Sequence, residues 1–115
     1  MKYTAKQGDI IWIDFDPQTG HEQARRRPAL VVSNDSFNNL IGYGAMVCPI
    51  TNTDRGVSLH PELDSRTKTT GFIMCDQAKI LDISNRNAKY VEKAPSEMVY
   101  EVVDIITGFI EVEDQ

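Results

Sequence analysis

Eight consecutive residues, His21-Glu22-Gln23-Ala24-Arg25-Arg26-Arg27-Pro28, set one imidazole, one carboxylate, one amide and three guanidiniums side by side. Imidazoles and carboxylates are the side chains that move protons near neutral pH. A guanidinium binds phosphate oxygens through paired donors and keeps its own proton. Together they suit a reaction in which a proton moves while negative charge grows on a phosphate. Taken alone, the run reads first as a solvated loop with a charged tip. Pro28 holds Arg27 in extended backbone, which favours a preorganised guanidinium.

Such a loop needs strands to hold it. Gly8-Asp9 opens a strand over residues 10–15, with apolar groups on both faces. Asp16-Pro17-Gln18-Thr19-Gly20 ends it, and residues 21–27 read as an exposed loop. A second strand is predicted over 29–33. Asn34-Asp35-Ser36 then caps a short helical turn through residue 40. A third strand spans 44–50 and ends at Thr51-Asn52-Thr53-Asp54-Arg55-Gly56. Further strands are predicted over 57–63, 71–75 and 78–83, with a polar turn at 82–87. Met98, Val99, Val102, Val103, Ile106, Phe109 and Ile110 then fall on one face at helical spacing. Pro95 suits the first helical position and Glu97 the positive end of the helix dipole. Gly108 weakens this helix by about 1 kcal/mol. Short strands followed by one terminal helix predict an α+β fold, an antiparallel barrel-like sheet with a C-terminal helix.

The chain has 115 residues, the length of a single domain spanning 1–115. No apolar run approaches the roughly 20 residues of a membrane span, and the N-terminus lacks the apolar stretch of a signal peptide, so a cytoplasmic location is expected. Cys48 and Cys75 each sit in an apolar run and read as buried, reduced thiols. His21 and His60 are far apart in sequence, and no carboxylate-rich cluster appears, so no metal or other cofactor is expected. The net charge of −5 argues against a nucleic-acid partner. Its distribution softens that objection. Seven of the 17 acidic residues and one of the 12 basic ones lie from Glu92 onward, leaving ten acidic and eleven basic residues before it. Arg25-Arg26-Arg27 is the concentrated basic run.

The segments around the loop form an ordered series. Gln7-Gly8-Asp9-Ile10-Ile11-Trp12-Ile13-Asp14-Phe15-Asp16-Pro17 is followed by Gly20-His21-Glu22-Gln23 and Arg27-Pro28-Ala29-Leu30-Val31-Val32-Ser33. Then come Val47-Cys48-Pro49-Ile50-Thr51, Thr70-Gly71 and Cys75-Asp76-Gln77. No single piece is decisive, but the set, covering nearly the whole chain, resembles the MazF/PemK/Kid family of toxins. The resemblance implies an SH3-like, CcdB/MazF-type sheet and a homodimeric, sequence-selective endoribonuclease acting on single-stranded RNA. It also implies a cognate antitoxin whose acidic extended tail occupies the RNA groove. CcdB-type toxins share the fold and poison DNA gyrase, so a gyrase poison and a non-catalytic binding module are the alternatives.

RNA supplies its own nucleophile, the 2′-hydroxyl. An enzyme needs to remove that proton, stabilise the phosphorane and protonate the leaving 5′-oxygen, giving a 2′,3′-cyclic phosphate and a 5′-hydroxyl without a metal. The resemblance selects Arg27, the Arg of the Arg-Pro pair, as charge stabiliser, and Thr51 as a donor to phosphate or to the 2′-hydroxyl. A Thr at a strand end also satisfies its own backbone. His21, Glu22 and Asp76 are the candidates for proton transfer. Asp76 matches an Asp of the Kid-like branch, in which an Arg stands two residues earlier; here that place is Met74, so the Kid-type assignment does not transfer intact. Gln23, Arg25, Arg26, Gln77 and Lys79 are the RNA-binding candidates. Arg86 and Lys89 either extend the phosphate track or form a solvated face.

Overall fold

The computed structural model describes residues 2–15 and 26–114. Six strands form one antiparallel sheet: β1 (Asp9–Asp14), β2 (Arg26–Val31), β3 (Gly44–Thr51), β4 (Phe72–Ile73), β5 (Lys79–Asp82) and β6 (Lys89–Lys93). A short helix, α1 (Asp35–Ile41), joins β2 to β3, and α2 (Ser96–Phe109) follows β6. The sheet order is β4-β3-β2-β1-β6, and β5 pairs with the same edge of β3 as β4 does. The sheet is not closed.

Strand parity explains the two-layered core. Along β1, Ile10 points one way while Ile11 and Ile13 point the other. Leu30, Cys48 and Ile50 share the side of Ile10, and α2 covers that side with Met98 and Val102. Ala29, Val31, Ala45, Val47 and Leu81 share the side of Ile11 and Ile13, completed by Ile83 and Ala5. Each fully buried Ile, Leu or Val contributes roughly 1.5–3 kcal/mol. Apolar residues on both faces, as read from the sequence, are thus required by the fold.

The helical turn predicted from Asn34 is a true helix. The Asn34 side chain accepts the Phe37 amide at 2.8 Å, and Gly42 ends the helix at φ 78°. Pro95 sits one position before the first turn of α2, as its N-cap. The apolar stripe of α2 runs off the sheet at its end, so Phe109 and Ile110 are exposed.

Three predicted elements are corrected. β2 begins at Arg26, three residues earlier than expected, so two of the three arginines belong to a strand. Residues 57–63 form no strand; they touch β4 through one bridge, Glu62 to Phe72, and Pro61 has no amide hydrogen to extend it. Residues 75–77, the end of a predicted strand and its successors, form a 3₁₀ turn, Cys75–Gln77. β6 has no counterpart among the predicted elements; it is stabilised by pairing with β1. Among the described residues no helix is long and apolar enough to cross a membrane.

Candidate active site

The parity that sorts the core also sorts the arginines. Arg27, Ala29 and Val31 alternate onto the face of Ile11 and Ile13, whereas Arg26 falls on the opposite face with Asp14. Arg26 Nη1 is 3.1 Å from Asp14 Oδ1, an ion pair across the end of the β1–β2 ladder. A hydrogen bond from Asn87, together with Arg26, holds the Asp14 carboxyl below the usual carboxylate range despite the opposing effect of burial. Arg27 makes no ion pair among the described residues.

Arg27 lines a groove of about 710 Å³ at the end of this face. Phe15 from the end of β1, Pro49 from β3 and Lys79 from the start of β5 also line it. The Lys79 ammonium lies 5.7 Å from the centre of the Phe15 ring, a cation–π contact that holds it over the groove. Arg86 donates to the carbonyl oxygens of Asp14 and Phe15, at 3.2 and 2.6 Å, and so fixes the end of β1. That engages the side chain which the sequence offered to a phosphate track.

Asp76 and Gln77 reach the groove from the 3₁₀ turn. The turn is the short segment that bridges β4 and β5 where both run along one edge of β3. The Gln77 amide donates to the Met74 carbonyl, Met74 donates to the Pro49 carbonyl, and the Cys75 side chain is buried beneath. Asp76 and Gln77 are therefore exposed on a fixed base. Met74, where the related branch has Arg, is buried with its side chain in the groove wall.

Two polar residues of the groove were not among the sequence candidates. Arg55 supplies a second guanidinium. The Asp54 carboxylate accepts the Gly56 amide at 2.8 Å, and Gly56 takes a φ of 67°, a turn that presents Arg55 at its tip. In the sequence these residues look like simple punctuation. His60 is the other; its Nε2 lies 2.6 Å from Asp76 Oδ1. A lone histidine within an apparent strand gives no hint of a partner 16 positions later.

Thr51 is not brought to the groove wall. Its hydroxyl oxygen accepts the Thr53 amide at 3.2 Å, so it serves the turn that follows β3. His21, Glu22, Gln23 and Arg25 lie outside the described residues. Among the described residues no three His, Cys, Asp or Glu side chains converge as a metal site would require.

The groove thus joins three cationic side chains, one carboxylate, one amide and one imidazole on an exposed surface. Side chains of these types can bind an anion and move a proton. Residues 6–110 match the family of PemK-like, MazF-like toxins of type II toxin–antitoxin systems. The chain is 33% identical over 106 residues to endoribonuclease PemK of Escherichia coli, covering 89% of this chain and 79% of that one. It is 36% identical over 98 residues to endoribonuclease toxin MazF of Escherichia coli K12, covering 84% and 86%. Its fold matches MazF in the MazE–MazF structure from Deinococcus radiodurans with a TM-score of 0.85, 31% identity and coverage of 95% and 97%. The chain belongs to the PemK-like, MazF-like toxin family.

Proposed function

We propose that this endoribonuclease toxin cleaves single-stranded RNA in the groove by attack of the 2′-hydroxyl on the adjacent phosphate, without a metal. Arg27 binds the non-bridging phosphate oxygens and stabilises the charge that develops on the phosphorane. Asp76 takes the 2′-hydroxyl proton as the 2′-oxygen bonds to phosphorus. The phosphorus–O5′ bond then breaks, and the 5′-oxygen takes up a proton from water. The products are a 2′,3′-cyclic phosphate and a 5′-hydroxyl. Arg55 and Lys79 track neighbouring phosphates, and Gln77 offers an amide to a base edge. His21, Glu22, Gln23 and Arg25 enter this reading through their sequence positions, as further proton-transfer and RNA-binding groups, and Thr51 as a donor just outside the groove wall.

The observation that carries the reading is the juxtaposition of Arg27, which makes no ion pair among the described residues, with the exposed Asp76 in one groove. One preorganised cationic donor is worth roughly 100- to 1,000-fold in rate at comparable sites. The partner is a cognate antitoxin, whose acidic extended tail would lie along the same cations. We place the toxin in the cytoplasm as a homodimer. Purified protein incubated with single-stranded RNA in EDTA tests the mechanism. Defined fragments with cyclic phosphate and 5′-hydroxyl ends are expected, and intact RNA under those conditions overturns the metal-free route.

A further inference from the structure

We infer that His60 is a positioning residue of the cleavage reaction, which holds the Asp76 carboxylate so that one oxygen is fixed and the other faces the RNA. The inference rests on the reading of the groove given above and adds a residue to it.

Both partners of the contact are anchored. Residues 57–63 lie against the strand that leads into the Asp76 turn: the Ile73 amide donates to the Pro61 carbonyl, and the Leu63 amide to the Gly71 carbonyl, each at 2.8 Å. The His60 amide donates to the Val57 carbonyl at 3.1 Å, and Leu63 is buried in the core beside β4. The imidazole is therefore set in the groove wall with only 4% of its side chain exposed, while that of Asp76 is 40% exposed.

The hydrogen-bonding pattern specifies how the pair is arranged. A carboxylate only accepts, so the imidazole hydrogen is on Nε2 and is donated to Asp76 Oδ1. Nδ1 is buried and has no partner among the described residues. A hydrogen there would be a buried donor without an acceptor among the described residues. His60 thus meets Asp76 as a donor through Nε2. Asp76 Oδ2 makes no hydrogen bond among the described residues, which leaves it as the carboxylate oxygen open to a substrate hydroxyl.

A purely structural tie does not explain this choice of residue. An apolar side chain of similar size would fill the site without an orphaned ring nitrogen, and buried polar atoms without partners are rare. The hydrogen bond that His60 does make falls on Asp76, the one carboxylate among the described groove residues. The charged groups around that carboxylate are Arg27 from β2, Arg55 from the preceding turn and Lys79 from β5, with Glu101 of α2 behind the turn near Cys75.

The test compares His60→Leu and His60→Gln with wild type and Asp76→Asn, by steady-state cleavage of a short RNA across pH and by thermal unfolding. Leu fills the space without a donor; Gln restores an amide donor. His60→Leu should lower kcat about tenfold or more, leave KM within about threefold and move the acidic limb of the kcat profile to higher pH. His60→Gln should recover most of that loss. The melting temperature of His60→Leu should match or exceed that of wild type. Wild-type kcat and an unmoved acidic limb in both variants, with Asp76→Asn inactive, would overturn the role of His60 and leave the groove reading intact. Full cleavage by Asp76→Asn removes the carboxylate from the mechanism, and His60 with it. Should His60→Leu not fold, His60→Asn, whose shorter amide falls short of Asp76, takes its place.

Discussion

Gly71 passes so close to Thr51 that a Cβ on Gly71 would lie 2.6 Å from the Thr51 carbonyl oxygen. Its φ of 125° is also a conformation that side-chain-bearing residues rarely adopt. The contact lies where β4 meets the end of β3, one strand away from the Asp76 turn. Neither backbone can yield without separating the two strands. Gly71→Ala should destabilise the protein by about 2 kcal/mol or more, read from urea unfolding. A loss under about 0.5 kcal/mol would mean that this edge of the sheet gives way freely.

The two arginines on opposite faces of β2 should separate in function. Arg27→Ala should slow cleavage roughly 100- to 1,000-fold with an unchanged melting temperature. Arg26→Ala loses an exposed ion pair with Asp14 worth about 0–1 kcal/mol and should keep activity within about tenfold of wild type. Single-turnover cleavage of a defined RNA measures both, and equal losses in the two variants would contradict the parity argument.

RNA affinity should fall as salt rises, because phosphate contacts release counterions. Removing one phosphate-tracking cation should reduce the slope of log affinity against log salt by roughly 0.7 for a single strand. Lys79→Ala and Arg55→Ala are the informative variants, measured on a non-cleavable RNA with a 2′-deoxy cut site. Slopes identical to wild type would place the RNA elsewhere.

Cys48 and Cys75 are free, buried thiols at 0% and 1% exposure. Burial pushes the Cys48 thiol well up and the Cys75 thiol up to about 12. Neither should react with a thiol reagent at pH 8 in the native protein, and both should react at once in denaturant. Rapid labelling of native protein would refute this placement of the core.

Acid should unfold the protein through a small set of carboxylates. Hydrogen bonds and an ion pair from Arg66 hold Asp64 down to about 2, and Asp14, Asp82 and Glu92 are also held below their ordinary values. Groups depressed in the folded state stabilise it above the unfolded value of about 4 and lose that contribution as pH falls toward their folded values. The melting temperature should stay level from pH 7 to about pH 5 and drop between about pH 4 and pH 2. Asp14→Asn should flatten part of that drop; a profile unchanged by the substitution would assign the loss to other groups.

The sequence showed the two-faced strands, the Asn34 cap and the α2 stripe, since each is written in local spacing. It showed Arg27, Asp76 and Gln77 through the ordered family segments and Lys79 as a cation for a phosphate track, and the structure brings these four to one groove. What stayed hidden depends on distant partners. β6 carries Lys89, Tyr90, Glu92 and Lys93 and looks like a polar loop until β1 pairs with it. Three charges in a row at Arg25-Arg26-Arg27 masked the start of β2, and with it the parity that tells Arg26 from Arg27. His60 gained a meaning only when its segment, folded against β4, met the Asp76 turn.

Arg27, Arg55, His60, Asp76 and Lys79 come from separate stretches of the chain, and β1 takes its outer neighbour from β6, near the far end. The lining residues run from Phe15 to Lys79, but the strand that leads to Phe15 is completed only by β6, beyond them. A chain cut short before Lys89 thus lacks the outer neighbour of β1, the strand whose end meets the groove.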